Sequence, residues 1–131
     1  MKNKTILLIN NDPSVYEFIK KILNHFCGWQ VLKANSSIQA LKLAIQAQPD
    51  AILFDLSASG LGLFLFSFLI ELRSQTITQS IPVIMIGEPE WLHTDLLHEF
   101  AIAGVINYST VFTKFPQQIA NLLDWDQSTI F

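Results

Sequence analysis

The chain has 131 residues, half of them hydrophobic and 15% charged, with a net charge of −3. That length suits one domain with a single sizeable core, and the balance excludes a disordered chain. The absence of any basic run argues against a nucleic-acid binder, and the single cysteine, Cys27, cannot form an internal disulfide and fits a reducing compartment.

In chain order, Thr5-Ile6-Leu7-Leu8-Ile9 reads as a first strand, apolar throughout. In the Asn10-Asn11-Asp12-Pro13 stretch that follows, Asp12 suits a helix N-cap and Pro13 a first helical residue, where the missing N–H is not needed. The first helix is expected to run to about Phe26, with Val15, Phe18, Ile19, Ile22 and Phe26 on one face, and Gly28 ends it. Trp29 to Leu32 is a second, shorter strand. Asn35-Ser36-Ser37 caps a second helix, with Ile38, Leu41 and Ile45 at the buried spacing, and Gln48-Pro49-Asp50 stops it.

Ala51-Ile52-Leu53-Phe54-Asp55 is an unbroken apolar run ending on a carboxylate. Such a run suits a strand buried on both faces, at the centre of a parallel sheet. Asp55 then stands at the strand's C-terminal end, where open α/β sheets gather their chemistry, although Asp is also common as a plain loop residue. A small-residue loop, Ser57 to Gly62, leads to a third helix over Leu63 to Ser74. Pro82 to Ile86 is a fourth strand, and Gly87-Glu88-Pro89-Glu90 opens a fourth helix to about Phe100. Gly104 to Asn107 is a fifth strand, and Pro116 to Leu123 a last helix with Ile119, Leu122 and Leu123 facing inward.

Five β–α units in strict alternation imply a single α/β domain over residues 1–131, a doubly wound parallel sheet with helices on both faces. The flavodoxin-like order 2-1-3-4-5 is the expected (βα)5 arrangement. Its switch point lies between the first and third strands, which sets Asn10, Asn11 and Asp55 side by side with Gly87 next along the sheet. The start, Met1-Lys2-Asn3-Lys4, leads into an apolar run too short for a secretory signal. The longest apolar stretch, Leu61 to Ile70, is interrupted by Gly62 and Ser67 and is too short to cross a bilayer. The expectation is a cytoplasmic chain with no membrane contact and no output domain after residue 131.

The chain resembles the receiver domains of bacterial response regulators, the CheY-like phospho-acceptor partners of sensor histidine kinases in two-component phosphorelays. The resemblance rests on Ile6-Leu7-Leu8-Ile9 before a polar triplet and Pro13, on Pro49-Asp50-Ala51-Ile52-Leu53-Phe54-Asp55, and on Ser80-Ile81-Pro82-Val83-Ile84. It implies that Asp55 occupies the phospho-acceptor position. It also implies two acidic residues holding Mg²⁺ where Asn10 and Asn11 stand, and a hydroxyl residue where Gly87 stands. A lysine is implied after the fifth strand, where Tyr108 or Val111 stands according to the direction of counting; the nearest lysine is Lys114. Ala58-Ser59 replaces the family's Met-Pro.

Mg²⁺ is usually held by one or two carboxylates with phosphate oxygens and water, and an amide brings oxygen without charge. Phosphoryl transfer depends on positioning and on neutralising charge at the transferred group. The expected function is therefore that of a degenerate receiver, a non-enzymatic module that signals through protein contact, with no catalytic residue, metal or other cofactor. Two alternatives are a working phospho-acceptor that uses Asp55, with Mg²⁺ and help from Asp12 and Lys114, and a small ligand binder or enzyme on the same fold. Asp12 is expected to cap a helix rather than ligate a metal. His93 and His98, five apart among Glu88, Glu90 and Glu99, do not share a helix face well enough for zinc. Trp29, Trp91 and Trp125 read as core or rim residues.

The third helix is apolar nearly all round. Leu61, Phe64, Leu65, Phe68, Leu69 and Leu72 form a broad face fit to cover the sheet, and Leu63, Phe66 and Ile70 fall on nearly the opposite side. That second face is a candidate interface, for a histidine kinase, a downstream signalling protein or a second copy. The alternative is that a neighbouring helix or the Thr76-to-Ser80 loop covers it.

Overall fold

The computed structural model describes residues 3–56, 64–88, 94–107 and 112–126. Five strands, β1 (Thr5–Ile9), β2 (Gln30–Ala34), β3 (Ala51–Asp55), β4 (Val83–Ile86) and β5 (Ile102–Ile106), form one sheet in the order β2-β1-β3-β4-β5. Every pairing is parallel. Helices α1 (Pro13–Cys27), α2 (Ser37–Ala47), α3 (Leu65–Ser74), α4 (Thr94–Glu99) and α5 (Phe115–Leu123) alternate with the strands, giving the flavodoxin-like (βα)5 architecture.

Side-chain alternation divides the core into two layers. Leu7, Ile9, Ile52, Phe54, Val83 and Met85 point toward α2 and α3. Ile6, Leu8, Leu53, Ile84, Ile86 and Ile106 point toward α1 and α5. β3 is buried at all five positions, as its unbroken apolar run requires.

The helix starts follow their capping residues. Asp12 Oδ1 accepts the backbone N–H groups of Ser14 at 2.9 Å and Val15 at 3.4 Å, with Pro13 in the first turn. Gly28, at φ +71°, closes α1 in the left-handed conformation that glycine adopts without strain. Ser36 Oγ accepts the Gln39 N–H at 3.1 Å and starts α2.

Several expected core faces are corrected. In α1 the buried stripe is Tyr16, Ile19 and Leu23, while Phe18 is 52% exposed. In α2 the alanines Ala40 and Ala44 meet the sheet, Leu41 and Ile45 are half-buried, and Ile38 is 76% exposed. Small side chains let that helix lie close to the strands, so the large residues are displaced to its flanks. Phe64 is exposed and stands at the N-cap of α3, which begins at Leu65 rather than at Leu63. Leu122 lies at the rim over β5: a Cβ on Gly104 would stand 2.6 Å from Leu122 Cδ2. The fifth strand also begins two residues earlier than the sequence suggests, at Ile102.

Candidate functional site

The strand register builds the site. Ile9 of β1 is level with Phe54 of β3, so the next residues on each strand, Asn10 and Asp55, are level too. By alternation both side chains fall on the α1 and α5 side of the sheet, with Leu8 and Leu53 below them. Beyond Ile9 the chain stays paired, for Asn10 N–H donates to Ala34 O at 2.9 Å. Asp55 is level with Ile86, the last residue of β4. Gly87 follows, buried, its N–H donating to Ile106 O at 3.0 Å. Asn10, Asp55 and Gly87 thus share one edge of the sheet.

Asn10 is 1% exposed and Asp55 2%. A buried carboxylate is costly unless it is paired or hydrogen-bonded. Here the Asn10 amide supplies a partner: its Nδ2 donates to Asp55 Oδ2. The other end of the amide, Oδ1, accepts the Asp12 N–H at 2.6 Å. That second bond fixes the orientation of the amide, because only its oxygen can accept from a backbone N–H. One side chain therefore links the end of β3 to the turn that starts α1. Asn11 is exposed, as is Asp12, whose Oδ1 is engaged in capping. Lys114 is also exposed and ends a short 3-10 turn, Phe112–Lys114, that leads into α5.

Tyr108, Val111, Leu63, Ala58, Ser59, Trp91 and His93 lie outside the described residues. Trp29 is fully buried and Trp125 packs edge-on against it at 5.3 Å, which makes the pair core and rim. Lys4 Nζ lies 4.7 Å from the Trp125 ring centre. Among the described residues, no group of three or more His, Cys, Asp and Glu could hold a metal ion. Nor is any helix among them long and apolar enough to cross a membrane.

No protein-family model matches the chain. Solved structures do. Chemotaxis response regulator CheY4 of Vibrio cholerae superposes with a TM-score of 0.76 at 18% identity, covering 92% of this chain and 99% of that one. The receiver domain of a sensor histidine kinase from Pseudomonas aeruginosa PAO1 gives 0.74 at 21% identity, over 94% of this chain and 99% of that one. The fold is that of a response-regulator receiver domain. That Pseudomonas receiver holds a magnesium ion coordinated in its active-site cleft. Curated relatives of this receiver-like chain include Protein PilH of Pseudomonas aeruginosa, 33% identical over 82 residues, which are 62% of this chain and 64% of that protein. The DNA-binding dual master transcriptional regulator RpaA of Synechocystis is 33% identical over 81 residues, 62% of this chain and 32% of that protein. The chain thus spans under two thirds of PilH and about a third of RpaA.

Two side-chain devices had no sequence signal. One is the bond from Asn10 to Asp55, which depends on a rotamer as well as on register. The other is Arg73, at the end of α3. Its Nε donates to Phe100 O at 3.0 Å, and one terminal nitrogen donates to Gln79 O at 3.0 Å and Ile81 O at 2.7 Å. The other terminal nitrogen reaches Ala101 O at 3.4 Å. An arginine closing a helix reads in sequence as a solvated charge favoured by the helix dipole.

Proposed function

We propose that this chain is a degenerate receiver of two-component signalling, acting through contact with a protein partner and without Mg²⁺-dependent phosphorylation of Asp55. The observation that carries this reading is the Asn10 amide donating to Asp55 Oδ2. In that place the resemblance implies an acid and a divalent cation. A neutral donor satisfies the buried carboxylate without a metal, and it occupies an oxygen that a metal or an incoming phosphoryl group would need.

The donor set does not fit a tight Mg²⁺ site. Asn10 offers its bonded amide, Asn11 an uncharged side chain, and Asp12 an oxygen already used as a cap. Asp55 is then the one carboxylate not engaged in capping, the low end of the one or two such ions usually take beside phosphate oxygens, and its Oδ2 already accepts from Asn10. Gly87 adds no hydroxyl, and Lys114 is not at the strand end. Soluble cytoplasmic signalling by the receiver unit, with no enzymatic step of its own, is the corresponding cellular reading. Histidine kinases and downstream signalling proteins are the partner classes it implies.

Magnesium titration tests the reading. The parent chain should show no saturable change in tryptophan fluorescence up to millimolar Mg²⁺. The double variant Asn10→Asp, Asn11→Asp should bind the ion at least about tenfold more tightly, because two charges are restored to the site. Equal affinity in the two proteins would remove the charge argument.

A further inference from the structure

The outer side of α3 carries a feature that a solvated helix does not need. Phe66 is 43% exposed and Ile70, one turn on, 56% exposed. Phe64 stands open just ahead of the helix. The Phe66 ring centre lies 6.1 Å from that of Phe100, so the apolar strip reaches from α3 to the residue that follows α4. The exposed carboxylates on these two helices are Glu71, Asp95 and Glu99. Their one guanidinium, Arg73, is committed to backbone carbonyls. Glu71 follows Ile70 in the chain and Glu99 precedes Phe100, so the strip has a carboxylate next to it on each helix, and among the described residues of α3 and α4 there is no exposed Lys or Arg.

We propose that this strip docks an amphipathic helix of a partner protein that carries basic residues beside its apolar face. The inference rests on the reading that the chain works by protein contact, and it names the surface and the chemistry of the partner. A helix laid along such a strip presents anchors at i, i+3 or i+4, and i+7, which suits side chains one turn apart. Lysines on its flanks would meet the carboxylates and speed encounter. A second copy fits worse. A two-fold interface sets the same patch against itself, so Glu71, Asp95 and Glu99 would face their counterparts with no exposed Lys or Arg from α3 or α4 between them.

The test uses the whole chain, without metal or phosphodonor, and a fluorescein-labelled synthetic peptide. The peptide has leucines at i, i+3, i+4 and i+7 and lysines on its flanks; a second peptide carries glutamate in place of each lysine. Anisotropy should show saturable one-to-one binding of the lysine peptide and none of the glutamate peptide. Phe66→Glu and Ile70→Glu should each weaken binding about tenfold, and Glu99→Lys about threefold. Phe18→Glu, which adds the same charge at an exposed aromatic on α1, should leave it unchanged. Circular dichroism checks each fold; should Phe66→Glu unfold the chain, Ile70→Glu at the more exposed position decides. A Phe18→Glu variant that loses as much affinity, or equal binding of both peptides, overturns the proposal. So does a parent dimer by sedimentation that Ile70→Glu converts to monomer, because the surface then belongs to a second copy. A phosphoryl adduct on Asp55 beside an intact peptide response would remove the degenerate-site reading and leave the docking site standing.

Discussion

At the scale of single residues, Asn10 bears most of the account. Its two hydrogen bonds tie Asp55 to the start of α1. Replacing the amide by a carboxylate removes the donor and sets a second negative charge against a carboxylate that is 2% exposed. Without divalent cations, Asn10→Asp should lower stability by about 2–4 kcal/mol at pH 7, measured by urea unfolding. Two carboxyl groups sharing a site hold one proton to higher pH than an isolated group does. A group whose folded-state pKa is raised favours the fold at low pH and loses that contribution as pH rises. The penalty should therefore shrink as the pH falls toward about 4. Cys27 gives a second test. Burial pushes its thiol up from 9.0 to about 11. The native chain should react with iodoacetamide at pH 9 more slowly than the urea-unfolded chain does. By the same sign rule, the contribution of this thiol to stability is full below pH 9 and is lost as pH rises through about 11.

At the scale of elements, Arg73 joins segments that the backbone leaves apart. Its donors reach the loop after α3 and the turn between α4 and β5. Desolvation there lowers its pKa, though the guanidinium stays charged. Ala101 in that turn has φ +53°, a left-handed conformation that costs a residue with a Cβ roughly 1–2 kcal/mol. Arg73→Met should destabilise the fold by about 2–3 kcal/mol, and Ala101→Gly should return part of the loss, both read by urea unfolding. The close approach of Gly104 to Leu122 makes a second element-level prediction. Gly104→Ala should cost about 1 kcal/mol in the parent and close to nothing in a Leu122→Ala background, since the colliding atoms belong to a side chain that is itself partly exposed. What sequence reasoning missed at this scale has one physical root. Hydrophobic periodicity marks large residues, whereas α2 packs through Ala40 and Ala44 and leaves Ile38 in solvent. Phe18 misleads in the same way, for α1 turns Tyr16 inward instead.

At the scale of the whole molecule, the strand order was legible because five apolar runs alternate with capped helices, and β3 is apolar without a break. The meeting of Asn10 and Asp55 follows from that order and register. The hydrogen bond between them does not, because it needs the amide's orientation, set locally by the Asp12 N–H. The outward set of Phe66 and Ile70 was legible from helical spacing, and their exposure agrees with it. Leu63 lies outside the described residues. These features describe a receiver fold with its central carboxylate satisfied from within the chain. The most direct test is intact mass after incubation with a small phosphodonor and millimolar Mg²⁺. The parent chain should remain unmodified; a stoichiometric phosphoryl adduct that disappears in Asp55→Asn would contradict the degenerate-site reading.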